Sequence, residues 1–113
     1  MTTVFVTGAT GIVGSAVVEH LLARGVRVIA GVREPSGARL PDAVEVRPFE
    51  FGGSARALAD AMAGADKLFL MRPPAIADVQ NQLFPVIDAA ALLGLEQIMF
   101  LSLQGVQANR RTP

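Results

Sequence analysis

The sequence contains no cysteine, tryptophan or tyrosine, and its one histidine is His20. Without cysteine there can be no disulfide framework, thiol nucleophile or cysteine-ligated zinc, which fits a reducing cytoplasm. A single histidine excludes a metal site built from several histidines, and a Ser-His-Asp triad would have to include it. We expect His20 to lie on the solvated face of a helix, beside Glu19 and Arg24, without a catalytic role.

An excess of charge of either sign is also missing, since ten basic and ten acidic side chains give a formal net charge of zero. The chain therefore lacks the basic footprint that favours nucleic acid or an anionic membrane as a partner. No apolar run approaches the roughly 20 residues that a membrane span requires. Hydrophobic residues make up 51% of the 113-residue chain and charged residues 18%, so we expect one folded, cytoplasmic domain.

Short apolar runs alternate with segments of helical periodicity along the whole chain. The runs that predict strands are Thr3–Thr7, Val26–Val32, Val44–Val46, Leu68–Met71 and Ile98–Leu101. Ser54 is a candidate cap for the second helix, which Gly64 should end, and Pro85 should kink or divide the third. Strands that alternate with helices predict an open, parallel, Rossmann-like α/β sheet with strand order 3-2-1-4-5.

Three regularly spaced glycines, Gly8, Gly11 and Gly14, lie between the first predicted strand and helix. Gly8 would permit a sharp exit from the strand, Gly11 would leave room for a pyrophosphate at the helix N-terminus, and Gly14 would allow close packing on the sheet. With Thr10 and Ile12 they form a candidate cofactor loop whose main-chain amides bind the diphosphate. The context of strand before and helix after favours this interpretation over a merely flexible turn.

Arg33 follows the second predicted strand, where such folds place the residue that recognises the adenosine ribose. The donor fork of an arginine fits a 2′-phosphate, whereas an acid would accept from a free 2′-hydroxyl, so Arg33 favours NADP over NAD. Glu34 leaves alternatives open, because it could neutralise Arg33 or itself bond a ribose hydroxyl. A solvated surface arginine paired with Glu34 is the structural alternative.

Five motifs together resemble the NmrA-like group of atypical short-chain dehydrogenases/reductases: TGATGIVG at 7–14, GVRE at 31–34, FEF at 49–51, LFLMRPP at 68–74 and FLSLQGV at 100–106. Members of that group have a Rossmann domain followed by a smaller substrate region. Some are NAD(P)H-dependent reductases of quinones and similar acceptors, and others are non-catalytic cofactor sensors. The resemblance implies hydride transfer to a quinone-like or carbonyl acceptor in the complete protein, or a sensor without turnover.

The same resemblance assigns two further positions in the adenosine region. Glu50 lies where the family commonly has an aspartate that faces the adenine amino group, and a carboxylate can accept that hydrogen bond. Phe51 would add backbone groups and an apolar wall. An ordinary exposed loop acid is the alternative for Glu50.

On the nicotinamide side, the resemblance implies a wall made by Arg72, Pro73 and Pro74, although a plain strand stop is an equal alternative. Ser102 aligns with the serine region that hydrogen-bonds a substrate carbonyl, which makes it the catalytic candidate. The usual tyrosine acid of the superfamily is absent from this sequence. Lys67 should lie at the opposite end of the sheet and so cannot act in its place.

The sequence ends shortly after the fifth predicted strand, whereas a doubly wound dinucleotide domain normally has six strands or more. We therefore interpret residues 1–113 as the N-terminal portion of an NAD(P)-binding Rossmann domain. Without a further strand, the edge at Ile98–Leu103 would be apolar and exposed. We expect self-association or a C-terminal portion of the protein to cover it.

Overall fold

A computed structural model describes residues 2–9, 12–37, 40–71 and 84–101. The elements in chain order are β1 (Thr3–Thr7), α1 (Ile12–Ala23), β2 (Arg27–Val32), a 3-10 turn (Pro35–Gly37), β3 (Glu45–Pro48), α2 (Ala55–Met62), β4 (Lys67–Met71), α3 (Phe84–Leu92) and β5 (Gln97–Leu101). All pairings are parallel, and the strand order is β3-β2-β1-β4-β5. The predicted Rossmann-like sheet is confirmed.

Apolar side chains cover both faces of the sheet, and every residue of β1 is buried. One cluster packs α2 and α3 on the sheet and contains Phe5, Ile29, Phe49, Leu58, Ala61, Met62, Leu68, Leu70, Val86, Ala89 and Ala90. The cluster on the other face packs α1 on the sheet and contains Val4, Val6, Ala9, Val18, Val28, Ala30 and Val44. The continuous apolar runs of the sequence thus correspond to strands covered on two sides.

The helix boundaries follow local chemistry. The Ser54 side chain accepts a hydrogen bond from the backbone N–H of Ala57 at 3.1 Å, which caps α2 as predicted, and Gly64 follows the helix with a φ of 88°. Pro85 lies in the first turn of α3, where a proline disrupts no intrahelical hydrogen bond. The predicted kink involves residues before Phe84 that lie outside the described part of the chain.

Strand β3 is displaced along the chain from its predicted span. It begins at Glu45 and continues through Pro48, past the predicted last residue Val46. A proline is tolerated here because β3 is an edge strand of the described sheet and one side of its backbone needs no partner.

The amino ends of three strands are tied together by Asp66. Its Oδ2 accepts from the backbone N–H of Thr3 at 2.9 Å. The backbone N–H of Asp66 donates to the Thr3 carbonyl at 2.8 Å, and the backbone carbonyl of Asp66 accepts from the backbone N–H of Glu96 at 2.7 Å. Lys67 follows directly at the start of β4, so it lies at the amino edge, as expected.

Strand β5 forms the other edge of the described sheet. The expected covering of this edge, by self-association or by a C-terminal portion, stays a prediction. Within the described ranges, no helix has both the length and the apolar character to cross a membrane.

Candidate dinucleotide site

The glycine turn after β1 has the backbone geometry that the sequence predicts. Gly8 has a φ of 67°, in the left-handed region that favours glycine. A Cβ atom on Gly14 would collide with the carbonyl oxygen of Gly8 and would lie 2.7 Å from its carbonyl carbon. The first turn of α1 therefore packs directly on the backbone of the turn. Thr10 and Gly11 lie outside the described residues, and only the backbone of Ile12 is described.

This arrangement brings the backbone of the glycine turn against the start of α1. The first N–H groups of a helix have no partner within the helix, and the helix dipole adds partial positive charge there. The first turn of α1 carries no acidic residue that would compete for those groups. Such groups at the start of a helix are the ones that bind phosphate in other proteins.

A groove of about 440 Å³ lies between the end of β3 and helix α2. Its volume is within the range of roughly 300–1,000 Å³ that ligand pockets occupy. It is lined by Arg33, Arg47, Pro48, Phe49, Glu50, Gly53, Ala57, Leu58, Asp60 and Ala61. The two residues predicted to bind the adenosine half, Arg33 and Glu50, therefore line one groove, although a loop and a strand separate them in the sequence.

Both of these side chains are exposed at the rim of the groove. Within the described ranges, Arg33 forms no ion pair with Glu34, the partner it would have if it were only a solvated surface arginine. Its donor fork is therefore available to an anionic group. Glu50 likewise has no side-chain hydrogen bond to another described residue, and its backbone carbonyl accepts from Gly53 at 3.0 Å.

The second arginine of the groove, Arg47, is held by the protein itself. Its Nη1 donates to the carbonyl oxygens of Ala61 at 2.9 Å and Ala63 at 2.7 Å, at the end of α2. Its Nε donates to Glu45 at 2.8 Å, and Glu45 also accepts from Arg27 at 2.9 Å. The hydrogen bond from Arg47, followed by that from Arg27, lowers the pKa of Glu45. Arg47 thus fastens α2 to β3.

The role of Arg47 was not predicted from the sequence, although a signal was present. Glu45 and Arg47 are two residues apart in a strand, so their side chains lie on the same face and can pair. Arg27 comes close to Glu45 only through the register of β2 and β3. The end of α2 comes close to Arg47 only when the helix packs on the assembled sheet. These contacts could not be read from local sequence.

Three phenylalanine rings form a row behind Glu50. The centroids of Phe5 and Phe49 are 5.3 Å apart, and those of Phe49 and Phe51 are 5.2 Å apart, both in edge-to-face geometry. Phe49 is 6% exposed and forms part of the apolar floor of the groove. Phe51 does not line the groove, and its ring packs against Phe49 instead, so its expected role as an apolar wall stays a prediction.

The remaining predicted site residues lie outside the described part of the chain. They are Arg72, Pro73, Pro74 and Ser102. They follow β4 and β5, whose carboxyl ends share an edge of the sheet with Gly8 and Arg33 because all five strands are parallel. Open α/β sheets bind ligands at that edge.

A parallel sheet of this order, with a glycine turn at the first helix and an arginine after the second strand, defines the dinucleotide-binding Rossmann class. The chain belongs to the NAD(P)H-binding family, whose sequence pattern matches residues 8–113.

One similar protein is quinone oxidoreductase 2 of Escherichia coli (strain K12), which is 34% identical over 102 residues. That match covers 87% of this chain and 35% of the relative. A solved NADPH-dependent quinone oxidoreductase from Escherichia coli, complexed with NADPH, has a TM-score of 0.73 and 30% identity over 88% of this chain and 36% of its own. A Rossmann-fold NAD(P)-binding family protein from Shigella flexneri has a TM-score of 0.75 and 21% identity over 89% of this chain and 51% of its own. The chain thus spans about a third to a half of the length of these relatives.

Proposed function

We propose that residues 1–113 form the N-terminal, cofactor-binding portion of an NmrA-like oxidoreductase that uses NADPH to reduce a quinone-like or carbonyl acceptor. The observation that carries this proposal is the close contact between Gly14 and Gly8, which brings the start of α1 against the backbone of the glycine turn. The similarity to a quinone oxidoreductase supports the acceptor class.

The pyrophosphate binds the main-chain amides of Gly8, Thr10, Gly11, Ile12 and Gly14 in this proposal. The turn needs no basic side chain, because the helix dipole and the backbone donors supply the positive potential. Gly14 packs so closely on Gly8 that a side chain would not fit between the helix and the turn.

The adenosine half of the cofactor lies in the groove beside β3. Arg33 donates to the 2′-phosphate, which selects NADP over NAD. Glu50 accepts a hydrogen bond from the adenine amino group, and Phe49 supplies apolar contact from the floor of the groove. NAD binds more weakly, since it offers no 2′-phosphate to Arg33.

Arg72, Pro73, Pro74 and Ser102 orient the nicotinamide half and the acceptor. The bound cofactor supplies the hydride. Ser102 is the candidate hydrogen-bond donor to the acceptor carbonyl. Because the chain has no tyrosine, the proton for the reduced acceptor comes from solvent or from a part of the protein beyond these residues.

The second candidate function is a regulatory sensor that binds the cofactor without turnover. This function requires only the cofactor-binding features, which are the glycine turn and the groove that Arg33 and Glu50 line. Stopped-flow absorbance of the complete protein at the NADPH band, across a panel of quinones, separates the two. Oxidation of NADPH supports the reductase, and binding without oxidation supports the sensor.

Cofactor binding itself is tested by titration of the chain into NADPH and NADH with detection of cofactor fluorescence. The chain has no tryptophan, so protein emission does not interfere. We expect saturable binding of both cofactors, with tighter binding of NADPH. A flat titration for both would overturn the proposal.

A further inference from the structure

We propose that Phe51, through the row of rings behind it, is a positioning residue that fixes Glu50 and so sets the selectivity of the site for adenine. The inference rests on the proposed function, in which Glu50 accepts a hydrogen bond from the adenine amino group. Glu50 itself is exposed, and its side chain has no partner within the described residues that would hold it.

The two neighbours of Glu50 are anchored on the same side. Phe49 is buried, and Phe51 is half-buried with its ring edge-on to Phe49 at an interplanar angle of 80°. Both rings pack on the apolar cluster that joins the sheet to α2 and α3. With its neighbours held inward, the side chain of Glu50 is left to face the groove.

The row of rings fits only because Gly31 has no side chain. A Cβ atom at Gly31 would lie 2.8 Å from the Phe49 Cβ atom and 2.8 Å from Cε1 of Phe5. The Phe5 ring therefore leans over Gly31 and meets Phe49 at 61°. A glycine within a strand is often a sign of such a close approach.

The backbone on either side of Glu50 is fixed as well. The N–H of Phe49 donates to the carbonyl of Val32 at 2.8 Å, which continues the pairing of β2 and β3 past the last residue of β3. The N–H of Gly53 donates to the carbonyl of Glu50 at 3.0 Å, which closes a turn. These bonds hold the main chain at Phe49 and at the Glu50 carbonyl, and the packing of the Phe51 ring on Phe49 holds the residue that follows Glu50.

Orientation matters because a hydrogen bond weakens steeply when its geometry is poor. A rigid carboxylate distinguishes adenine, which presents an amino donor, from hypoxanthine, which presents a carbonyl oxygen at that position. A carboxylate free to turn away loses the distinction while the rest of the cofactor still binds.

The test compares the dissociation constants of NADPH and its reduced hypoxanthine analogue, measured by cofactor fluorescence. We expect the unaltered chain to prefer NADPH about tenfold, the value of one charged hydrogen bond. Phe51→Leu removes the ring and should reduce the preference to about twofold or less, whereas Phe51→Tyr keeps the ring and should retain it. Phe51→Met, which has similar apolar volume, repeats the test if the leucine variant does not fold.

A loss of stability alone does not change the ratio of the two dissociation constants. The melting temperature of each variant is recorded to show that the variant is folded during the titration. Glu50→Ala provides the calibration. If Glu50→Ala abolishes the preference and Phe51→Leu keeps it, the positioning role is wrong and the proposed function stands. If Glu50→Ala itself leaves the ratio unchanged while NADPH still binds, the adenine contact is wrong and the inference falls with it. If NADPH does not bind the unaltered chain, the proposed function fails.

Discussion

The floor and the rim of the groove beside β3 use the same residue types in different ways. Arg47 belongs to the floor, where two carbonyl oxygens and Glu45 take up its donors. Arg33 belongs to the rim, where it is exposed and has no such contacts within the described ranges. The protein thus uses one arginine to build the groove and leaves the other available to a ligand. Changes to the floor should cost stability, whereas changes to the rim should cost affinity and selectivity.

The largest effect is expected from Gly31→Ala, which alters the floor. The new methyl group would lie within 2.8 Å of the Phe49 Cβ atom, so the ring row must shift. We expect a loss of roughly 3 kcal/mol in the free energy of unfolding, the upper end for overpacking of a core. Denaturant unfolding measures it.

The matched control is Gly37→Ala, because a Cβ atom there would meet nothing within 4 Å. It should leave the free energy of unfolding within about 0.5 kcal/mol of the original, as for most surface changes. Equal losses for the two variants would contradict the crowding at Gly31.

The next effect is expected from Arg47→Met, which removes the link between β3 and α2. Two carbonyl groups at the end of the helix lose their donor, and Glu45 retains only Arg27. We expect a loss of about 2 kcal/mol. Arg27→Met removes only an exposed ion pair and should cost less than about 1 kcal/mol. If Arg47→Met instead changed the NADPH to NADH preference at unchanged stability, the assignment of Arg47 to the floor would be wrong.

Arg33→Met is the corresponding change at the rim. The side chain has no partner to lose among the described residues, so the free energy of unfolding should not change measurably. The affinity for NADPH should fall about tenfold or more, because a charged hydrogen bond to the 2′-phosphate is lost, while NADH binding should change little. Arg24→Met, at the opposite end of the fold, serves as the control. If Arg33→Met lowered stability and left the cofactor preference unchanged, Arg33 would have a structural role like that of Arg47 and the proposed contact with the 2′-phosphate would be wrong.

The smallest effect concerns the pH dependence of stability. Bonds from Arg47 and then Arg27 hold the pKa of Glu45 below its ordinary value of 4.5. When the pKa of a carboxylate is lower in the folded state than in the unfolded state, its contribution to stability is present at pH values above the unfolded-state pKa. That contribution is lost as the pH falls through the folded-state pKa. Glu45→Gln should therefore reduce stability near neutral pH by less than about 1 kcal/mol, since solvent screens this half-exposed carboxylate. The difference from the unaltered chain should vanish on acidification below pH 4.5, as followed by denaturant unfolding at several pH values. A difference that is independent of pH would contradict the ion pair.

Much of the fold, and the position of Arg33 at the rim of the groove, could be predicted from the sequence because local patterns determine them. Alternating apolar runs predicted all five strands and their order, and Ser54 and Gly64 marked the ends of α2. The positive φ of Gly8 and the close packing of Gly14 follow from the glycine spacing. Arg33 directly follows β2, as predicted, and its role toward a cofactor stays a prediction.

The floor of the groove was not predictable in the same way. The contacts of Arg47 with α2, and the space that Gly31 leaves for Phe5 and Phe49, join segments distant in sequence. They depend on strand register and helix packing, which no local pattern encodes. Asp66 is a similar case, since its bond to Thr3 exists only once β1 and β4 are side by side.

The glycine turn is the centre of the proposed cofactor site, and the crystal structure of the chain with NADPH tests that role most directly. We expect density for the diphosphate against the main-chain amides of residues 8–14, and for the 2′-phosphate beside Arg33. Density for the cofactor at another place, with the turn closed against its own carbonyl groups, would contradict it.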